Sequence, residues 1–218
     1  MTSTESNQSK SGPWWEIVVV IVIYLGLSLA FPGLKQVLAF PLILYMIIES
    51  LLRHRTWAEN GFSIRTIPSG LRQTFMWFLL VVFGTQAIFI LAGYFFLPEV
   101  LAHLISRVPM DISSLSASLF ISIGIATFLE ELLFRALFQN RLSAFVSPAI
   151  AIGLVSLVFA LGHYSAGPAL VVFVDLLSVF VDSLIFGIIF QRSRNVFVSW
   201  IPHYLADMFS IVALILIR

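Results

Sequence analysis

The sequence predicts an all-α bundle of about seven membrane-spanning helices, and three observations carry that reading. The 218 residues are 60% hydrophobic and only 11% charged, whereas a soluble domain carries about one quarter charged residues. The apolar residues gather into continuous runs close to the roughly twenty residues a helix needs to cross a bilayer. Those runs lack the roughly ten-residue alternating segments of a transmembrane β-barrel.

The elements follow in order. Residues 1–12 (MTSTESNQSKSG) are polar and read as a disordered cytoplasmic tail, with residues 13–218 as one transmembrane domain. Pro13-Trp14-Trp15-Glu16 and the run behind it lack a basic leader and a small-residue cleavage site, so this run reads as a retained span. The seven apolar segments fall at about 14–31, 36–52, 73–97, 116–143, 148–165, 168–190 and 196–217. Turn chemistry separates them at Pro32-Gly33, Pro68-Ser69-Gly70, Ser147-Pro148 and Gly167-Pro168. Ser147 is placed to cap a helix whose first residue is Pro148. The stretch from Arg53 to Arg72 mixes Trp57, Phe62 and Ile67 with four arginines and reads as an interfacial segment. Nine Lys and Arg residues fall on one side of these segments, against Lys35, Arg107 and Arg218 on the other. That asymmetry places the amino terminus in the cytoplasm of a multi-pass inner-membrane protein and the carboxyl terminus outside.

With no cysteine, disulfides, thiol nucleophiles and thiolate zinc sites are excluded. The net charge of +1 suggests no nucleic-acid partner. What stands out is a set of ionisable residues inside the apolar runs: Glu130, Glu131 and Arg135, then His163 behind Phe159, then His203 with Asp207. Such groups cost about 2.5–3.5 kcal/mol each in hydrocarbon on translocon scales, so they are usually paired and functional. Glu130 lies 17 residues before Ser147 and His163 lies 16 after it. An antiparallel hairpin therefore puts both about 24 Å from the turn, at one depth. Glu131 and Arg135 stand i,i+4 in the favourable order and can neutralise one another. Glu130 points about 100° away from Glu131 and is the carboxylate assigned to water. His203 and Asp207 share a helical face, and Pro202 removes a backbone donor beside them. Asp182, nearly equidistant with His203 from the turn near Ser193, is a candidate to orient that imidazole. Asp175 shares its face, and His54 and His103 fall in loops without an assigned role.

Glu130-Glu131-x-x-x-Arg135, Phe159-x-x-x-His163 and His203-x-x-x-Asp207, in this order, resemble the CPBP intramembrane protease family. That family includes the type II CAAX prenyl endopeptidases and the bacterial Abi and bacteriocin-immunity proteins. The likeness covers about residues 116–210, the expected catalytic core. It implies hydrolysis of a peptide bond in a membrane-associated or lipidated peptide. Glu130 with His163 would activate water, and His203 with Asp207 would steady the oxyanion or bind a metal. The four could together ligate Zn²⁺, whose bound water has a pKa near ~7. A metal-free glutamate mechanism needs His203 as oxyanion donor. Prenyl endopeptidases carry Asn at the last motif position. The ionised Asp207 here is a poor oxyanion donor, which favours the metalloendopeptidase form. Two rivals use the same helices: a non-enzymatic immunity or scaffold protein, and a proton-coupled transporter relaying through Glu130, Asp175 and Asp182. Membrane lipids are the other expected partner.

Overall fold

Away from water a backbone must bond to itself, so long apolar runs become helices. The computed structural model describes residues 12–107 and 116–216. The described residues are 84% helical, with no strand among them. In chain order the helices are α1 (Trp14–Ala30), α2 (Lys35–Leu52), α3 (Ile67–Gln73), α4 (Phe75–Phe96), α5 (Pro98–Arg107), α6 (Ala117–Leu142), α7 (Pro148–Gly162), α8 (Ala169–Ser193) and α9 (Val196–Leu216).

Among the described residues α4, α6, α8 and α9 are long and apolar enough to cross a membrane, at 22, 26, 25 and 21 residues. The other three expected spans, α1, α2 and α7, are apolar but shorter. The 15 residues of α7 reach about 22 Å, less than the roughly 30 Å hydrocarbon core. α7 stops at Gly162 instead of 165 because His163 leaves the helix and turns its ring back onto it. His163 Nδ1 lies 2.8 Å from the Phe159 carbonyl. At the other end Ser147 Oγ accepts from the Ile150 amide (3.4 Å), with Pro148 in the first turn. α9 runs unbroken through Pro202. His103 lies on α5, not in a loop, while His54 occupies the turn after α2 with φ 51°. The expected tail at 1–11, with Lys10 and Arg218 of the charge count, lies outside the described residues.

α6 is the centre of the bundle. From Glu131 to Leu142 every residue is buried, and Leu132–Gln139 is wound as a wider π-helix. α1, α2, α7, α8 and α9 surround this segment. Leu133, Phe134, Leu137 and Phe138 pack there against Tyr24, Val155, Phe159 and Phe190. Outward residues of α1 and α2 such as Val22 (62% exposed) and Phe40 (61%) have only lipid to meet. These are the surfaces of a membrane protein.

The end of α6 is tied by charge. Arg141 donates to Glu49 Oε2 from Nε (3.1 Å) and Nη2 (2.7 Å), and Nη2 also reaches Asn60 Oδ1 (2.7 Å). Arg53 bridges Glu49 (2.9 Å) and Glu16 (2.5 Å), joining α1 to α2. Burial works against the Arg53 charge, but hydrogen bonds and the charges of Glu16 and Glu49 outweigh it and raise its pKa. The polar run Arg135, Gln139, Asn140 and Arg141 is therefore interior. Removing one partner of a buried pair strands the other charge. Arg141→Ala is expected to lower stability by about 3 kcal/mol or more, read as a fall in unfolding temperature in detergent.

Candidate active site

The site begins with two adjacent glutamates on α6 that meet different surroundings. Glu131 points inward, and its side chain is 0% exposed. Arg135, one turn on and equally buried, faces it with Nε 3.5 Å from Oε1. The guanidinium is held from its far side as well. Nη2 donates to Ser183 Oγ on α8 (2.9 Å) and Nη1 to Gln139 Oε1 (3.4 Å), while Gln139 Nε2 donates to the Gly187 carbonyl (2.9 Å). This approach of α8 to α6 needs a glycine. A Cβ at position 187 would stand 2.9 Å from Ile152 Cγ2 and 3.0 Å from Gln139 Oε1.

Glu131 Oε1 has a second task. It lies 3.0 Å from His203 Nδ1, across 72 residues of sequence. With Arg135 opposite, the carboxylate is the acceptor and Nδ1 carries the proton. The other ring nitrogen, Nε2, is then turned away from Glu131. Phe186 stacks on the ring at 4.3 Å and 22°, and Phe159 meets it edge-on at 5.9 Å. His203 is 4% exposed and cannot swing.

His163 is oriented by the same logic. A carbonyl can only accept, so the bond to Phe159 O fixes the proton on Nδ1 and leaves Nε2 as acceptor. Glu130, 33% exposed, completes the arrangement. Its Oε1 stands 3.7 Å from His163 Nε2 and its Oε2 3.6 Å from His203 Nε2. One half-exposed carboxylate thus faces the inward-turned nitrogens of two imidazoles, each anchored through its other nitrogen. Both gaps exceed a direct hydrogen bond.

The remaining expected residues are placed differently. Asp207 lies half-buried on the His203 face of α9, within electrostatic reach of His203 and Asp182. Asp182 accepts from Thr85 Oγ1 and Gln86 Nε2, both at 2.7 Å. The partner on His203 Nδ1 is therefore Glu131, the residue spacing alone could not find, and Asp182 is bound to α4. Asp175 lies 3.4 Å from His103 Nε2, which also meets Ser165 Oγ at 2.9 Å. Glu130, His163, His203 and Asp207 do not gather as a metal set: among the described residues no group of three His, Asp or Glu side chains could hold a metal ion.

Residues 112–209 match the family described as type II CAAX prenyl endopeptidase, Rce1-like. Over this stretch the chain is similar to the CAAX-protease family. The matched stretch takes in α6 to most of α9 and includes Glu130, Glu131, Arg135, His163, His203 and Asp207. No curated protein and no solved structure matches the chain. That family is one of CAAX-type prenyl endopeptidases.

The two glutamates should respond differently to truncation. Glu131→Ala strands a fully buried guanidinium and is expected to lower stability by about 3–5 kcal/mol. Glu130→Ala, at a partly exposed position, should change it by less than about 1 kcal/mol. Denaturant or thermal unfolding of both variants in one detergent checks the contrast.

Proposed function

We propose that the protein hydrolyses a peptide bond of a membrane-embedded or lipidated peptide with a water held between Glu130 and His163. One observation supports this most: Glu130 Oε1 and His163 Nε2 are 3.7 Å apart, and both are acceptors. A water between them donates one hydrogen to each. Glu130 and His163 are also 33% and 25% exposed, which lets a substrate reach them, while His203 and Glu131 are enclosed.

In the proposed step the water oxygen attacks the scissile carbonyl carbon and Glu130 takes a water proton. His163 accepts the second water hydrogen and fixes the direction of attack. The carbonyl π electrons move onto oxygen. His203, carrying protons on both ring nitrogens, donates from Nε2 to that oxyanion while Nδ1 stays on Glu131. Collapse breaks the C–N bond, and the proton held by Glu130 passes to the leaving amine. Asp207 cannot donate to the oxyanion when ionised. It acts through His203, as a charge near the imidazolium. Phe159 and Phe186 hold the rings in place and exclude water from the His203 side.

The peptide substrate, the membrane lipids around it and the inner-membrane, amino-terminus-inside topology belong to this reading. A zinc ion would require Glu130, His163, His203 and Asp207 to close into a ligand set, and no step above passes through it.

The test uses purified protein in proteoliposomes with a lipidated fluorogenic peptide. Glu130→Gln and His163→Ala should each lower kcat by about 10²–10⁴-fold, with unfolding temperatures near wild type. A Glu130→Gln protein that cleaves at the wild-type rate refutes the hydrolytic role and fits a scaffold. A strong zinc chelator should leave cleavage intact. Loss of activity restored by Zn²⁺ would move the water onto a metal.

A further inference from the structure

We propose that the arginine-rich end of the bundle is a binding surface for anionic phospholipid headgroups, with Arg65, Arg72 and Arg192 facing the phosphates. This does not rest on the catalytic reading.

Two segments far apart in sequence are clamped together there. Asn195 Nδ2 donates to the Ser63 carbonyl (2.6 Å) and to Thr66 Oγ1 (2.9 Å), and the Val196 amide donates to the Gly61 carbonyl (2.8 Å). α3 is pressed on the turn between α8 and α9. A Cβ on Gly70 would meet Val198 Cγ2 at 2.8 Å and Ser193 Cβ at 3.3 Å. The clamp gathers Arg65 and Arg72 from one segment and Arg192 from the other at one rim, all exposed.

At this end Arg194 donates to Asn140 Oδ1 (2.9 Å), and the other arginines fall into two groups. Arg53, Arg55 and Arg141 are matched by Glu16 and Glu49. Arg65, Arg72 and Arg192 form no ion pair among the described residues. No acidic residue occurs between Glu59 and Glu99, or between Asp182 and Asp207. Three guanidiniums at one rim without a counter-charge call for an external anion.

The surroundings say which one. Arg192 lies over the Trp77 ring at 5.8 Å, a residue type enriched at membrane–water interfaces. Ile64 (77% exposed), Phe75 (53%) and Met76 (73%) flank the arginines along α3 and the start of α4. Such residues enter the acyl layer while arginines stay at the phosphates. A soluble anion would leave this apolar fringe in water. A lipid phosphate uses both, with planar guanidiniums matched to its oxygens.

The experiment is native mass spectrometry of the full chain in detergent with equal phosphatidylglycerol and phosphatidylcholine. Each arginine near an anionic surface contributes on the order of fivefold in affinity. The wild type should retain phosphatidylglycerol over phosphatidylcholine. Arg65→Gln/Arg72→Gln/Arg192→Gln together should weaken that preference by roughly a hundredfold, and the corresponding triple Lys variant should keep most of it. On wild type alone, the rise in unfolding temperature caused by phosphatidylglycerol should shrink in high salt. Equal retention of both lipids by wild type, as for a rim that docks an acidic protein, overturns the proposal. So does an undiminished preference in the triple Gln variant. Glu130→Gln should keep the preference whatever it does to cleavage, so the two readings fail separately.

Discussion

Everything near the reactive centre depends on one buried cation. Arg135 sits inside the bundle with no exposed surface, and such a charge is tolerated only when paired. Glu131 supplies the opposite charge, while Ser183, Gln139 and the Gly187 carbonyl bond or brace the donors around it. The π-helical winding of Leu132–Gln139 belongs to the same device. It falls where α6 must present Arg135 and Gln139 to α8 while its other side packs on α1, α2 and α7, and such windings are frequent at functional sites.

The consequence is a division of labour between adjacent carboxylates. Glu131 is spent on Arg135 and on His203 Nδ1, so it orders the site without meeting substrate. Glu130, on the neighbouring face, reaches toward His163 and His203 from a position solvent can enter. Each imidazole is fixed by its Nδ1 side, one on a carboxylate of α6 and one on a carbonyl of its own helix. Residues of three helices, α6, α9 and the end of α7, thereby point nitrogen and oxygen at one small volume. The CAAX-protease-family match covers this stretch.

Much of this was legible in the sequence, and the reasons differ by residue. The equal spacing of Glu130 and His163 from Ser147-Pro148 is a property of helical rise, and a hairpin turns it into proximity. The i,i+4 pair Glu131–Arg135 lies within one helix and is equally local. The bond from Glu131 to His203 crosses 72 residues and depends on how α9 packs on α6, which no local spacing encodes. Asp182 shows the reverse. Its distance from the α8–α9 turn matches that of His203, yet Thr85 and Gln86 on α4 claim both its oxygens. Seven apolar segments become seven apolar helices, of which four reach spanning length among the described residues. Hydropathy marks all seven apolar segments, but α7 ends early because the His163 ring caps it.

The most direct test of the account is nitrogen-15 NMR of the imidazoles, which only four histidines contribute. Substituting one histidine at a time assigns the signals. The account predicts that His203 and His163 both carry a hydrogen-bonded proton on Nδ1, and that Glu131→Gln disturbs His203 while leaving His163 unchanged. A His203 ring with its lone pair on Nδ1, or one indifferent to Glu131, would contradict it.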